Sequence, residues 1–440
     1  MSKLINDEHI GLYPEDWSLG QLRDVGEFFS GSTPSTQNDK YWNGDIVWLV
    51  PSDLTALSDS TNFIFDSDSK ITTEGLRSCS THMLPIGTLC ISSRATLGEA
   101  VVAGVELCTN QGFINLITSH EYDALYLLYW VKQNEKYISR FAAGTTFLEI
   151  GRRTFRNIKL ALPKLPEQKA IATILSIVDE SIKATENSIL SAERLKKSLM
   201  QNLLTGKLKP DGTWRSEDDF YIDEKFRIIP KGWQLNRVKD LTNRVTDGEH
   251  LSPDFQTSGS YLLSAEDVHD DGISLAKAKF VKYKDCLKFR NRCDPDFGDV
   301  LIVSRGASIG RTCKVNLDIE FCLMGSVILI KPKNELLIGG YLAQYFKSHT
   351  AWVELQKLSG TTAQQAIYLT HINKVKLIYP SDLKEQLNIT KALESFDVDI
   401  ASKKSKIQTL GNLKKSLMQN LLTGKVRVDV DKINKLLDKA

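Results

Sequence analysis

An internal repeat is the feature of this 440-residue chain that most constrains its fold. The thirteen residues LKKSLMQNLLTGK occupy 195–207 and return unchanged at 413–425, 218 residues further on. The same offset pairs Glu167 with Glu385, and no gap is needed between these positions and the repeated ending. Self-similarity at a fixed offset is the signature of tandem structural units. The sequence therefore predicts two copies of one architecture.

Shorter matches lie upstream of each copy. Ser93-Arg94 corresponds to Ser304-Arg305, and a Gly-Thr-Thr triplet occurs at 144–146 and at 360–362. Each predicted unit is thus a variable region followed by a nearly fixed segment. We expect a variable domain at 1–163, a long helix at 164–207, a linker at 208–229, a second variable domain at 230–380, a second long helix at 381–425 and a C-terminal tail at 426–440.

The fixed segments have the periodicity of long amphipathic helices. Apolar residues recur at spacings of four and three from Ile171 to Leu203 and from Ile389 to Leu421, which is the heptad pattern of coiled coils. A helix of about 40 residues is about 60 Å long. This length exceeds the core of a compact domain, so we predict a two-helix coiled coil. We prefer an antiparallel pairing, because the parallel alternative requires the linker to run back along a whole helix.

The variable regions have a different pattern. Short runs of β-branched and aromatic residues alternate with turn-forming clusters, which is typical of strands. Amphipathic helices are predicted at 122–141 and 338–358. The predicted fold class is α+β: two mixed α/β domains joined by two long antiparallel helices in a coiled coil, with an internal pseudo-twofold from tandem duplication. The predicted strands lie at 46–50, 88–91, 113–117, 300–303 and 327–330.

Composition places the chain among ordinary globular proteins. Lys and Arg total 56 and Asp and Glu total 54, a formal net charge of +2, which excludes a polybasic protein but not a local basic face. No apolar run approaches the roughly 18 residues of a membrane span, and the N-terminus lacks a hydrophobic signal core. Seven cysteines with no Cys-x-x-Cys pair argue against a disulfide framework or a zinc ribbon. We therefore expect a cytoplasmic protein that contacts no membrane.

The sequence offers no catalytic or metal-binding constellation. A GxxxxGK[ST] nucleotide loop and an HExxH motif are absent, and the seven histidines lack ligand spacing. Three segments are near matches to motifs of amino-methyltransferases: Asp294-Pro-Asp-Phe297, Ser252-Pro-Asp-Phe255 and Phe29-Ser-Gly-Ser32. Each departs from the pattern, and ordinary turns explain all three. We therefore expect no catalytic residue, no metal and no cofactor in this chain.

Polar and basic residues follow predicted strands in both units. Backbone amides, hydroxyls and guanidinium groups suit phosphate contacts, and Arg and Gln can read guanine and adenine edges. A solvated loop residue is the ordinary interpretation of any one of them, but their recurrence in both units favours a nucleic-acid contact. The candidate DNA-binding residues are Ser32, Thr33, Ser93, Arg94, Thr145, Thr146, Arg152, Arg153, His250, Ser304, Arg305, Ser308, Thr361, Thr362, Gln364 and Gln365.

These motifs together resemble those of a known family, the specificity (S) subunits of type I restriction-modification systems. The resemblance covers essentially the whole chain. It rests on the opening SGSTPSTQNDKYWNGDIVWLVPSDL at 30–54, the Gly-Thr-Thr segments, the LPKLPEQ segment that leads into the first long helix and the LKKSLMQNLLTGK ending. The second unit departs from the first, with Gly248-Glu-His250 in place of Gly31-Ser-Thr33, as the reading of different half-sites would require.

The resemblance implies a function without catalysis. Each variable domain would be a target-recognition domain that reads one half of a split DNA sequence in double-stranded DNA. The paired helices would set the spacer and dock two methyltransferase (M) subunits. Those subunits would bind S-adenosylmethionine and methylate adenine N6, and two motor-nuclease (R) subunits could join to cleave unmodified DNA.

The repeated helix endings carry the predicted partner surface. They match around their whole circumference, although a coiled coil needs only an inner stripe. Two equivalent partners docking by the same contacts would explain this identity. The candidate partner-binding residues are Lys196, Lys197, Met200, Gln201, Leu204, Lys414, Lys415, Met418, Gln419 and Leu422. Two alternatives stay open: a degenerate or fused DNA adenine methyltransferase, and a scaffold protein that binds no DNA.

Overall fold

The computed structural model describes residues 3–94, 96–143, 148–223, 228–359 and 366–437. The chain folds as two compact units. Unit 1 comprises residues 1–187 together with 405–440, and unit 2 comprises 188–404. Each unit therefore combines one variable region with part of both repeated segments.

Unit 1 is built around a five-stranded sheet with the strand order β4-β11-β8-β9-β6. A three-stranded sheet, β10-β5-β7, and the antiparallel pairs β1-β2 and β12-β3 complete its strand pairing. The strands are β1 (Leu4–Asp7), β2 (Gly11–Pro14), β3 (Ser18–Gln21), β4 (Gly26–Ser30), β5 (Trp42–Leu49), β6 (Phe63–Ile64), β7 (Lys70–Ile71), β8 (Leu89–Ser92), β9 (Ala100–Ala103), β10 (Leu107–Thr109), β11 (Phe113–Thr118) and β12 (Lys159–Leu162). The helices are α1 (Pro51–Thr55), α2 (Thr73–Ser78), α3 (Ala124–Gln133), α4 (Glu135–Ser139), α5 (Arg152–Arg156) and the long α6 (Leu165–Leu203).

Unit 2 repeats most of this topology, with four strands in its main sheet and an additional antiparallel pair, β18-β19. Its central sheet has the order β16-β24-β21-β22, its second sheet the order β20-β17-β23, and the pairs β13-β14 and β15-β25 correspond to β1-β2 and β3-β12. The strands are β13 (Phe220–Ile222), β14 (Ile228–Pro230), β15 (Trp233–Arg237), β16 (Thr242–Asp247), β17 (Ser260–Leu263), β18 (Val268–His269), β19 (Gly272–Ile273), β20 (Lys279–Val281), β21 (Val300–Val303), β22 (Thr312–Lys314), β23 (Phe321–Leu323), β24 (Val327–Pro332) and β25 (Lys376–Pro380). The helices are α7 (Tyr283–Arg290), α8 (Gly339–Lys347), α9 (His349–Ser359), α10 (Leu369–Lys374) and the long α11 (Leu383–Leu421).

The predicted α+β class is confirmed, but each helix predicted inside a variable region is broken in two. In unit 1 the break falls at Asn134, which has a φ of −105° and a ψ of 20°; its amide side chain donates at 2.8 Å to the Trp130 carbonyl, which also accepts from the Asn134 backbone amide at 3.0 Å. In unit 2 it falls at Ser348, which has an extended ψ of 150° and accepts a hydrogen bond from the Ala351 amide. Serine and asparagine side chains compete in this way with helical backbone bonds.

The two long helices have 39 residues each, and the antiparallel prediction is confirmed inside each unit. In unit 1 the start of α6, with Ile171 and Leu175, shares a hydrophobic core with Leu421 near the end of α11. In unit 2 the start of α11, with Ile389 and Leu393, shares a core with the end of α6. A short helix, α12 (Val430–Leu437), follows α11.

The repeated endings dock on the tryptophans of the variable regions. Gly424 adopts a φ of +67° just beyond α11 and lies so close to Pro14 and Trp17 that a Cβ would approach Pro14 Cγ to 2.3 Å. Gly206 has the same role beyond α6, with a φ of +68° and contacts with Pro230 and Trp233. A left-handed residue after the last helical turn favours glycine, which explains why each repeat ends in Thr-Gly-Lys.

Candidate nucleic-acid interface

Three strand ends meet at one edge of the main sheet in unit 1. The antiparallel register places Ser30, at the end of β4, opposite Ile114 of β11, and Ser92, at the end of β8, opposite Phe113. The loops that leave β4 and β8 and the loop that enters β11 therefore share one edge. The candidates Ser32, Thr33, Ser93 and Arg94 lie on these loops.

Backbone contacts fix the loop after β4. The Ser32 amide donates to the Thr109 carbonyl at 3.0 Å, and the Trp48 indole donates to the Ser32 carbonyl at 3.0 Å. At Gly31 a Cβ would lie 2.0 Å from the Asn110 carbonyl oxygen, so glycine is required there. The adjacent Thr33 hydroxyl donates to Gln111 Oε1. Gln111 is exposed, and no motif in the sequence singles it out.

Ser93 and Arg94 have different roles. Ser93 is only 3% exposed; its amide donates to the Gly112 carbonyl at 2.8 Å and its carbonyl accepts from the Ile150 amide at 2.9 Å. This serine holds the strand ends together. Arg94 is partly exposed and forms a backbone bridge with Glu149. It is therefore the residue of the pair that can contact a ligand.

A second basic element, α5, lies beside β4. The Arg152 guanidinium donates to the Phe28 carbonyl at 3.3 Å, and Arg156 lies over the Phe28 ring at 5.9 Å. Arg152, Arg153 and Arg156 are all exposed. Three arginines on one short helix provide the kind of positive surface that binds phosphates.

Unit 2 places equivalent residues at the equivalent edge. Asp247, at the end of β16, is opposite Ile328, and Val303, at the end of β21, is opposite Val327. Ser304 is buried, and its backbone contacts Ser326 and Ile367 as that of Ser93 contacts Gly112 and Ile150.

Arg305 is the exposed member of the second Ser-Arg pair. It donates to the Gly325 carbonyl at 3.1 Å and forms a backbone bridge with Ala366. Ser308 follows, with its hydroxyl 3.5 Å from the Ala265 carbonyl. The backbone bridge of Arg305 with Ala366 matches that of Arg94 with Glu149, so the two Ser-Arg pairs occupy corresponding places.

His250 belongs to a polar cluster with Asp247 and Arg292, of which the sequence pattern predicts only His250. Its Nε2 lies 2.9 Å from Asp247 Oδ2, and Arg292 Nη2 lies 2.6 Å from Asp247 Oδ1 and 3.3 Å from His250 Nε2. The His250 ring also packs against Gly325, where a Cβ would lie 2.5 Å from Nδ1. Asp247 and Arg292 were missed because they are 45 residues apart, and no sequence signal joins them.

A cleft of about 900 Å³ opens at this edge of unit 2. Asp247, Ser304 and Arg305 line one part of it, and residues 366–370 line another.

Next to the cleft, burial lowers the pKa of His371, and the positive charge of Lys374 lowers it further. Beside Arg292, burial raises the pKa of the Cys293 thiol to about 12, so that this thiol stays protonated.

Six candidates lie outside the described residues: Thr145, Thr146, Thr361, Thr362, Gln364 and Gln365. The described residues that follow the two Gly-Thr-Thr segments form the bridges to the arginines, through Glu149 in unit 1 and Ala366 in unit 2. Glu149 and Ala366 therefore lie at the edge that carries the Ser-Arg pair of each unit.

The predicted partner-binding residues differ in their exposure. Met200 and Leu204 are buried in unit 2, and Met418 and Leu422 in unit 1. Lys196 pairs with Asp397, and Lys414 pairs with Asp179. Internal packing is therefore a second explanation for the identity of these six residues, and their role in binding a partner stays a prediction. The candidates that remain exposed are Lys197, Gln201, Lys415 and Gln419.

The near matches to methyltransferase motifs take part in ordinary contacts. Asp294 pairs with Arg244 at 3.2 Å, and Asp296 pairs with Lys331 at 2.7 Å. Within the described ranges, no three His, Cys, Asp or Glu side chains are arranged to hold a metal ion. Among the described residues no helix has the length and apolar character needed to cross a membrane.

The architecture defines a class of protein, a tandem duplication that presents the same sheet edge twice with different side chains. The family model for the type I restriction modification DNA specificity domain matches the chain at residues 14–194 and again at 230–412. The chain belongs to this family, which is generally non-catalytic. Specificity subunits of type I systems assemble with the other subunits of their systems.

Named relatives agree with the family. The chain is 36% identical over 240 residues to the type I restriction enzyme MjaIX specificity subunit of Methanocaldococcus jannaschii, a match that spans 53% of each protein. The chain thus spans about half the length of that relative. It is 24% identical over 433 residues to the MjaVIII specificity subunit of the same organism, covering 94% of both.

Solved structures share the fold. A type I restriction-modification S subunit from M. genitalium superposes with a TM-score of 0.57 at 14% identity, covering 96% of this chain and 99% of that one. A chain from a study of complex assembly of the type I R-M system superposes with a TM-score of 0.52 at 17% identity, covering 94% and 99%. The tandem fold is therefore that of known specificity subunits.

Proposed function

We propose that each unit reads one half of a bipartite sequence in double-stranded DNA. The variable domains at 1–163 and 230–380 are then the target-recognition domains. The observation that carries this proposal is the repeated sheet edge: the same backbone scaffold presents Arg94, Gln111 and Arg152 in unit 1 but His250, Arg292 and Arg305 in unit 2. One scaffold with two sets of donors is what the reading of two unlike half-sites requires.

The same proposal gives the long helices two tasks. They set the number of base pairs between the half-sites, and they dock two methyltransferase subunits. Those partners carry S-adenosylmethionine and methylate adenine N6, and two motor-nuclease subunits join them when DNA is cleaved. Support comes from the exposed part of each repeated ending, where Leu195 and Leu413 are 53% and 47% exposed in identical sequence surroundings.

Arg94→Ala is expected to weaken or relax the reading of one half-site, and Arg305→Ala that of the other. Each arginine leaves the same sheet edge in its own unit, and a lost base contact costs about 1–3 kcal/mol. Binding of the assembled complex to duplexes altered in one half-site at a time measures the effect, and each variant serves as the matched control for the other. If affinity for every duplex stays at the wild-type value in both variants, these arginines do not contact DNA.

We expect two methyltransferase subunits per chain, one at each repeated ending. Leu195→Asp should remove one copy and Leu413→Asp the other, because a carboxylate would be desolvated in either interface. Native mass measurement of the assembled complex counts the copies. Leu190→Asp is the control, since Leu190 is 51% exposed and residue 408, at the corresponding position, is Gln. A stable one-to-one complex of the wild-type chain with excess partner would contradict the proposal.

A further inference from the structure

We infer that Arg292, held in place by Asp247, reads a guanine in the half-site recognised by unit 2. This inference rests on the proposed function and names one residue that determines its specificity. Arg292 does not follow a β-strand, as Arg94 and Arg305 do. It comes two residues after the end of α7, and the fold brings it to the edge where β16 ends.

Both ends of Arg292 are fixed. Its backbone carbonyl lies 3.5 Å from the Thr246 hydroxyl, and its amide donates to the Phe289 carbonyl at 3.2 Å. Its guanidinium Nη2 donates to Asp247 Oδ1 at 2.6 Å. An arginine held in this way loses little rotational freedom when it binds, so that more of each new hydrogen bond appears as affinity.

The Asp247 carboxylate is suited to orient the arginine. Its side chain is 14% exposed, whereas that of Arg292 is 53% exposed. One carboxylate oxygen binds Arg292 and the other lies 2.9 Å from His250 Nε2. The carboxylate is therefore the more buried partner, and about half of the arginine side chain is open to solvent.

The remaining donors match a guanine. Among the described residues Asp247 accepts one hydrogen of Nη2, and Nη1 and Nε have no acceptor. The second Nη2 hydrogen has no carboxylate acceptor: His250 Nε2, 3.3 Å away, lies 2.9 Å from Asp247 Oδ2 and donates to that oxygen when it carries a proton. The edge of the guanidinium that does not face Asp247 therefore keeps two parallel donors, one on Nη2 and one on its neighbouring nitrogen. Arginine reads guanine with two parallel donors to O6 and N7, the commonest specific contact in the major groove. A phosphate contact would not need a buried carboxylate beside the arginine, because that negative charge would oppose the phosphate.

The test is selection of binding sites by the complete complex from a library of randomised DNA duplexes. The wild-type complex is expected to select a bipartite sequence with a guanine at one position of the second half-site. Arg292→Ala should lose discrimination at that position by about 5- to 150-fold and leave every position of the first half-site unchanged. Arg292→Lys keeps the charge but has no planar fork, so it should lose the same discrimination while nonspecific affinity remains.

Two further variants separate reading from folding. Asp247→Asn keeps a hydrogen-bond acceptor but removes the charge, and we expect it to lose part of the discrimination at the same position and at no other. Arg244→Ala is the matched control, because Arg244 lies on β16 and pairs with Asp294 at 3.2 Å, with both side chains about 40% exposed. It should select the wild-type sequence.

Each failure has a distinct signature. If Arg292→Ala and Arg292→Lys select the wild-type sequence, or lose affinity equally for all duplexes, Arg292 is not a base reader and the inference is overturned. If the wild-type complex selects no sequence at all, the proposed function itself fails. Melting of the Arg292→Ala complex at the wild-type temperature shows that a loss of selection does not come from unfolding.

Discussion

Asp179→Ala is expected to destabilise unit 1 by about 3–5 kcal/mol, because it removes one member of a buried ion pair. Asp179 is 1% exposed. It accepts hydrogen bonds from the Tyr129 hydroxyl at 2.7 Å and from the Asn62 amide at 2.9 Å, and its other oxygen lies 2.5 Å from Lys414 Nζ. Alanine would leave the lysine charge and two polar groups without this acceptor inside the unit.

The repeat provides the matched control for this prediction. Asp397 corresponds to Asp179 in sequence and pairs with Lys196, but its side chain is 22% exposed where that of Asp179 is 2% exposed. In Asp397→Ala, water can therefore solvate the Lys196 ammonium in place of the carboxylate, and we expect a smaller loss of stability in unit 2. Amide hydrogen exchange, resolved by peptide, measures each unit separately. Equal losses in the two variants would mean that burial does not set the strength of these pairs.

A heptad inserted at matched positions in both long helices is expected to lengthen the gap between the half-sites. Insertion within 185–193 and within 403–411 preserves the apolar stripe. It adds about 10 Å of helix at 1.5 Å per residue, close to three base-pair steps of about 3.4 Å. Both half-site sequences should stay the same, because no residue of either sheet edge is changed.

Selection of methylated sites from a spacer-randomised library measures the new gap. We expect an increase of up to about three base pairs, and smaller if the helices are tilted to the DNA axis. One turn of DNA is about 10.5 base pairs, so three steps also rotate a reader by roughly a quarter turn, and activity should fall even on the best new target. An insertion in α6 alone is the control, because it shifts one apolar stripe against the other. An unchanged gap with full activity would show that the helices do not set the spacing.

The long helices could be predicted from sequence because their signal is local and repeated. Heptad spacing and a glycine stop are visible over 40 residues, and the structure has both. The breaks at Asn134 and Ser348 could not be predicted in the same way. Apolar spacing continues across both positions, and each break is a single residue, Asn134 or Ser348, whose backbone angles depart from those of a helix.

The residues of the candidate site could likewise be predicted from sequence only where they recur in a local pattern. The Ser-Arg pairs were found because they recur after apolar strands, but burial separates their members, leaving the serines inside and the arginines outside. Identity around the whole helix predicts that Lys196 and Lys414 lie on a partner surface, but each forms an ion pair inside its own unit. Their carboxylate partners, Asp397 and Asp179, are 201 and 235 residues away in the chain, and sequence periodicity gives no information on such pairs. Arg292 was missed for the same reason.

Unit 2 is one continuous segment, residues 188–404, whereas unit 1 combines residues 1–187 with residues 405–440. During synthesis the residues of unit 2 are complete before the ribosome reaches 405–440. Unit 1 cannot complete its contacts before that point. Asp179 lacks its ion-pair partner until Lys414 has been synthesised, and Trp17 stays exposed until Gly424 has been synthesised. A chain that stops before residue 405 would therefore lack part of unit 1 although unit 2 would be complete, and the half-site proposed for unit 2 would be the first that a nascent chain could read.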